Sequence, residues 1–216
     1  MQKVCIKSLV ENGSVESRRY YLARRTIMEM LSDRGYQVPD MHAELRRSLA
    51  DFRAEFGNHP EADRLRITAH RASHPSRKIL AIFCEGFQTR KQHAVGILSQ
   101  IVNKEMLDKV ILIVQSKMNS YAQKVLDEYP VKVETFLITD LLVNISKHFL
   151  EPKYEILSLE EKNKLLKQYE IEDKQLPMML ESDAIARYYG LEKGQVVKVS
   201  YADGIPHSLV SYRCVV

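Results

Sequence analysis

Two short, almost unbroken apolar runs constrain this chain more than any other feature: Ile79-Leu80-Ala81-Ile82-Phe83-Cys84 and Val110-Ile111-Leu112-Ile113-Val114. Each is too short for a buried helix and lacks the alternation of a strand with one wet face, so each predicts a strand covered on both sides. Between them Ala94, Val95, Leu98, Ile101 and Val102 recur at helical spacing. After them Tyr121, Ala122, Val125 and Leu126 mark a second helix, opened by Asn119 or Ser120, which leads through Pro130 to Val131, Val133 and Phe136. The order strand, helix, strand, helix, strand predicts parallel pairing through crossover helices.

Upstream, Tyr20, Ala23, Ile27, Met30 and Leu31 trace one face of a helix, with Ser14 or Ser17 as cap and Gly35 as stop. Leu49, Phe52 and Phe56 trace a second, between Ser48 and Gly57, so that the two would form a hairpin-like unit. Leu65, Ile67 and Ala69 alternate as a half-buried strand, closed by a turn at Ser73-His74-Pro75-Ser76.

The pattern changes after Asn144. Ser158-Leu159-Glu160-Glu161 has the capping-box form, in which serine and glutamate each satisfy the other's free amide, and it opens a helix carrying Leu165, Leu166 and Tyr169. Lys174-Gln175-Leu176-Pro177 interrupts it, and a second helix runs from a Ser182 cap to Gly190. Residues 196–199 and 210–216, about a turn at Asp203-Gly204, read as a hairpin that ties the end of the chain into a sheet.

A chain of 216 residues, 45% hydrophobic, holds enough apolar material for one large or two small domains. The longest apolar run falls far short of the roughly 20 residues of a membrane span, and residues 1–10 lack the apolar centre of a secretory signal, so a soluble, unsecreted chain is expected. Cys5, Cys84 and Cys214 show neither disulfide nor zinc spacing. The net charge of +4 permits a polyanionic partner without requiring one.

The decisive motifs lie near the end. Gln175-Leu176-Pro177, Asp183-Ala184-Ile185-Ala186-Arg187-Tyr188-Tyr189-Gly190-Leu191, Lys193-Gly194-Gln195-Val196-Val197-Lys198 and Ser211-Tyr212-Arg213-Cys214-Val215-Val216 follow in order. Together they resemble the assembly domain of the fifth subunit of eukaryotic nuclear RNA polymerases, whose archaeal counterpart is the H subunit. The resemblance extends upstream through Leu141-Leu142-Val143-Asn144-Ile145 and residues 162–169, and reaches Met30-Leu31-Ser32-Asp33-Arg34-Gly35-Tyr36 and Asp51-Phe52. Met178, Ala184, Glu192 and the segment 201–208 depart from the family's usual pattern. With Arg18-Arg19-Tyr20-Tyr21-Leu22-Ala23-Arg24-Arg25 and Leu191-Glu192-Lys193-Gly194, the chain looks most like the plant variant dedicated to RNA polymerase V.

That resemblance implies an α/β chain of two domains. Residues 1–143 would be a jaw domain, with a small, mostly parallel sheet flanked by helices. Residues 144–216 would be a smaller α+β assembly domain with a terminal hairpin. It implies a non-catalytic nuclear subunit, with no cofactor, small-molecule substrate or membrane.

Docking on the largest polymerase subunit, among other subunits, is expected through Tyr188, Tyr189, Gly190, Leu191, Gly194, Val196, Val197, Tyr212 and Arg213. Each tyrosine serves equally well as local core, while Gly190 suits a left-handed helix cap and Gly194 a turn. Sequence-independent contact with downstream duplex DNA is expected from Lys117, Asn119, Ser120 and Lys124, although the same segment serves as an ordinary solvated loop and N-cap. The arginines at 18, 19, 24 and 25 fit solvent, nucleic acid or an acidic partner.

Three other readings stand beside this one. The chain can be the subunit shared by polymerases I, II and III, or a binding module outside any polymerase. A metal-dependent nuclease is the third, but it needs converging carboxylates, and the strand ends offer Glu85 alone beside the neutral Gln115.

Overall fold

The computed structural model describes residues 14–85, 91–148, 151–201 and 209–216. The chain divides into two compact units, residues 1–143 and 144–216. Cys5 and the expected turn at Asp203-Gly204 lie outside the described residues.

Among the described residues, unit 1 holds a five-stranded sheet in the order β1-β2-β3-β4-β5: Tyr36–Gln37, Ile67–Arg71, His74–Phe83, Leu107–Val114 and Lys132–Leu137. Both expected apolar runs are strands, β3 and β4, and they pair in parallel, as do β4 and β5. The connections are helices α4 (Lys91–Ser99) and α5 (Ser120–Asp127). Burial on both faces explains the unbroken apolar sequence. Val110, Leu112 and Val114 pack with Ala94 and Leu98 of α4 and with Ala122 and Leu126 of α5. By the two-residue period of a strand, Ile111 and Ile113 point to the opposite face, where they are equally buried.

Helix α1 (Val15–Asp33) serves that second face: the Tyr20 ring meets the Phe83 ring edge-on at 5.9 Å. Ser14 caps α1 by accepting from the amides of Glu16 and Ser17, and Gly35 follows the helix at φ +82°. At its far end Arg34 Nη1 stands 2.8 Å from Glu134 Oε2 of β5, close in distance but outside hydrogen-bond angle. Lys109 of β4 holds the other oxygen of Glu134 at 3.4 Å. Helix α3 (Leu49–Phe56) forms as expected, with a Ser48–Asp51 capping box. The hairpin-like pairing needs amending, because β1 and helix α2 (Met41–Arg46) intervene between α1 and α3.

Several local expectations are corrected. Leu65 closes a 3₁₀ turn rather than opening a strand, and β3 begins at His74, so the turn after β2 is confined to Ala72 and Ser73. Val95 and Val102 are exposed, because α4 stops at Ser99 and its inward side is set by Ala94, Ile97 and Leu98. Tyr121 is 69% exposed, since Ala122 and Leu126 take the inward positions of α5. The Tyr169 ring is likewise exposed, while Leu165 alone of its helix is buried.

Unit 2 contains a four-stranded sheet in the order β6-β8-β9-β7, from Lys153–Ile156, Val196–Ser200, Val210–Val215 and Met178–Met179 respectively. The expected antiparallel hairpin is β8 with β9. Its flanking strands, β6 antiparallel to β8 and β7 parallel to β9, are too short to leave a periodic signature. Val196 and Cys214 pack with Leu165 and Leu166 of α6 (Leu159–Tyr169), while Val197 and Val215 pack with Ile185 and Ala186 of α7 (Ala184–Tyr189). The Ser158–Glu161 capping box opens α6 as expected. Asp183, not Ser182, caps α7, its carboxylate accepting from the Ile185 amide at 2.9 Å, and Gly190 ends the helix at φ +64°.

Cys84, at the end of β3, is buried, and burial pushes its thiol up to about 12 from the ordinary 9.0. Below pH 9 both folded and unfolded chains keep the thiol neutral. Between pH 9 and 12 only the unfolded chain ionises, so stability falls as pH rises through that window. Alkylation with iodoacetamide at pH 8, mapped by mass spectrometry, is expected to spare Cys84 in the folded chain and to modify it in urea.

Candidate nucleic-acid and subunit interfaces

In unit 1 the carboxyl end of β4 runs directly into the segment expected to meet DNA. Gln115 turns inward, its Nε2 donating to the Tyr20 hydroxyl at 3.1 Å. Asn119 caps α5, its Oδ1 accepting from the Ala122 amide at 2.8 Å. Cap and approach are thus fixed by internal bonds, and Lys117, Asn119, Ser120 and Lys124 are all exposed. Ser120 and Lys124 stand four residues apart on one side of the helix. The exposed cations with the first-turn amides make a surface favourable to anions. Tyr121, expected to pack inward, is the large exposed side chain beside them.

The strand-end positions that a nuclease would use are occupied otherwise. Glu85 Oε1 accepts from the Ala62 amide at 3.2 Å, and Gln115 holds Tyr20. Neither points to a shared centre.

Part of the arginine-rich stretch of α1 is internal scaffolding, while Arg18 is exposed. Arg24 Nη2 lies 3.3 Å from Glu44 of α2, and Arg47 joins Glu44 at 2.7 Å and Glu55 of α3 at 2.9 Å. Arg24, Arg47 and Arg64 stand over the Phe56 ring at 5.8, 5.8 and 5.4 Å. The Tyr21 hydroxyl donates to the Arg47 carbonyl at 2.8 Å and accepts from Arg25 at 3.1 Å. Partial desolvation lowers the Arg24 pKa, with Glu44 opposing that shift. Sequence alone could not show this, because the acidic and aromatic partners lie on other helices.

In unit 2 the residues expected at a subunit interface fall into two groups. Tyr188, Leu191, Val196 and Val197 are buried in the unit's own core, and the Tyr188 hydroxyl accepts from Asn144 Nδ2 at 3.0 Å. Their side chains act by holding α7 and β8 in place. Tyr189, Tyr212 and Arg213 are partly exposed, and Gly194 is exposed at φ +82°. Tyr189 rests edge-on against Tyr188 at 5.1 Å. The sheet edge carries apolar surface that sequence reading passed over: Met178 is 73% and Leu180 61% exposed. Met178 stands on β7, an edge strand whose outer side has no strand partner among the described residues.

Two family models match the chain: "RNA polymerase Rpb5, N-terminal domain" over residues 14–100, and "RNA polymerase Rpb5, C-terminal domain" over residues 143–215. The chain belongs to the Rpb5 family of RNA polymerase subunits. It is 49% identical to the DNA-directed RNA polymerase V subunit 5C of Arabidopsis thaliana, over 98% of this chain and 90% of the relative. Identity is 46% with the Arabidopsis DNA-directed RNA polymerases IV and V subunit 5B, over 99% of this chain and 97% of that one. With the Caenorhabditis briggsae subunit of DNA-directed RNA polymerases I, II, and III it is 32%, over 95% of this chain and 99% of the relative. As an Rpb5-family member the chain is a non-catalytic polymerase subunit, which removes the nuclease reading.

Gly194 tests the turn that leads into β8. A Cβ there would meet nothing within 4 Å, so substitution costs only backbone strain. Gly194→Ala is expected to lower stability by about 1–2 kcal/mol and Gly194→Asn by less, measured by urea unfolding of the full chain.

Proposed function

We propose that this Rpb5-family chain is the fifth subunit of a plant nuclear RNA polymerase V, joined to the largest subunit by unit 2 and set beside downstream DNA by unit 1. The gap in identity carries the assignment: 45–49% with three Arabidopsis subunits named for polymerase V or for IV and V, against 31–32% with the two Caenorhabditis subunits of polymerases I, II and III. The departures at Met178 and Ala184 accord with the same choice, since both residues are exposed on unit 2. The second reading, a subunit shared by polymerases I, II and III, draws on the full-length match to the Caenorhabditis chains.

Each interface has a physical role. The partly exposed Tyr189, Tyr212 and Arg213, with Met178 and Leu180 at the open edge, combine apolar area with polar tips, as a subunit contact requires. Gly190 and Gly194 hold the α7 end and the β8 entry in left-handed backbone that other residues adopt at a cost. On unit 1 the exposed Lys117 and Lys124, with Asn119 and Ser120, meet phosphates and leave base edges unread. Such contacts guide template; nucleotide addition belongs to other subunits.

A tagged full-length chain expressed in plant nuclei is expected to recover the largest subunit of polymerase V. Recovery with polymerase II alone would move the chain to the shared-subunit reading. Lys117→Gln with Lys124→Gln is expected to leave that recovery unchanged. In duplex-DNA titrations of the full chain, it should reduce the slope of log affinity against log salt by about 2.

A further inference from the structure

Unit 1 carries a second basic surface, at the opposite end of the sheet from Lys117. Strands β2 and β3 pair in register from Ile67 with Ala81 to His70 with Lys78, and then the register shifts, so that Arg71 pairs with His74. One step along β2 therefore matches four along β3, and Pro75, Ser76 and Arg77 have no counterpart on β2 in the register. Two imidazoles hold this shape: His70 Nδ1 lies 3.2 Å from the Pro75 carbonyl, and His74 Nδ1 lies 3.0 Å from Ser73 Oγ. Every residue from 71 to 77 is exposed.

The ribbon tip presents Arg71, Arg77 and, at its base, the half-buried Lys78, together with the hydroxyls of Ser73 and Ser76. The acid found against these cations is Asp108 of β4, a half-buried carboxylate shared between Arg71 at 3.5 Å and Arg77 at 3.7 Å. One carboxylate is shared between two guanidinium groups, both contacts are long, and both arginine side chains are about half exposed, so the donors of the pair exceed what Asp108 can take. The composition of the tip selects the partner. A protein interface draws on buried aromatic or large aliphatic anchors as well as arginine, and residues 71–78 offer arginine without any large apolar side chain. Phosphate contact needs only charged and hydroxyl donors on an accessible ridge.

We propose that the β2–β3 ribbon tip is a second nucleic-acid contact, in which Arg71, Arg77 and Lys78 grip a phosphodiester backbone without reading its sequence. Strand β4, eight residues long, separates this tip from the Lys117 segment by about 23 Å along the sheet. The two surfaces are therefore distinct, and the ribbon does not rely on the DNA contact proposed for Lys117 and Lys124.

Fluorescence anisotropy of the full chain with labelled duplex DNA and with single-stranded RNA of equal length, across a salt series, tests this. Arg71→Gln/Arg77→Gln/Lys78→Gln is expected to weaken binding to at least one polymer roughly tenfold and to reduce its salt slope by about 2 to 3; the polymer affected identifies the source of the phosphates. Arg77→Gln/Lys78→Gln leaves the Arg71–Asp108 pair in place, should reduce the slope by about 2, and carries the test if the triple variant unfolds in circular dichroism. Lys117→Gln/Lys124→Gln is the comparator: loss there without loss at the ribbon refutes this proposal alone, and loss at the ribbon alone refutes only the Lys117 contact. Wild-type chain that binds neither polymer, ribbon variants that match wild type with both, or variants that lose polyglutamate as strongly as nucleic acid would each overturn the proposal.

Discussion

Strand β4 has to be dry on both faces, and most of unit 1 follows from meeting that demand. Its parallel neighbours β3 and β5 can be reached only through crossovers, and the two crossover helices, α4 and α5, contribute Ala94, Leu98, Ala122 and Leu126 to one and the same face. The face carrying Ile111 and Ile113 is left to be covered from outside the parallel core. Helix α1 supplies that cover through Tyr20, against Phe83, and is pinned at its end by Arg34 against Glu134. Burying a side chain of this size stabilises by about 1.5–3 kcal/mol, so baring either face of β4 would cost more than the surface ion pairs of the unit can offset.

Helices α2 and α3 extend this logic through charge. Their position against α1 rests on Glu44 and Glu55 between Arg24 and Arg47, around the Phe56 ring. A guanidinium stacked on an aromatic face and held by a carboxylate keeps its long side chain ordered while its charge stays balanced. Arg24, which looks like part of a partner surface in one dimension, is therefore a joint between helices in three. Other exposed cations, such as Arg71 and Arg77, lie where the sequence neighbourhood is unremarkable.

The parallel core was legible because its signal is local: an apolar run of five or six residues means two covered faces wherever it occurs. Capping was legible for the same reason at Ser48 and Ser158, while at α1 the sequence left Ser14 and Ser17 open and at α7 it pointed to Ser182 where Asp183 is the cap. Helix faces were less so, since Val95 and Val102 fit the spacing, but only an observed stop at Ser99 shows that Val102 is not helical. Unit 2 was readable as a hairpin and not as a four-stranded sheet, because β6 and β7 have four and two residues and take their identity from the strands beside them. The division of the tyrosines was not readable at all. Tyr188 is buried because Asn144, 44 residues away, satisfies its hydroxyl, while Tyr189 next to it is left partly open.

The carboxyl ends of β3 and β4 are built differently from a small-molecule site. In open α/β sheets these ends are where ligands are held, because several loops converge there with side chains free to act. Here Glu85 is bonded to the Ala62 amide and Gln115 to the Tyr20 hydroxyl, so the polar groups nearest the strand ends join the sheet to the segment before β2 and to α1. Groups fixed in this way cannot converge on a common ligand without giving up the bonds that hold the unit together. Charge is carried one step further out, on Lys117 and Lys124 around a helix start whose own cap is satisfied by Asn119. Side chains displaced outward lose the enclosure that a small molecule needs, but gain the reach and spacing that suit an extended polyanion lying across the surface.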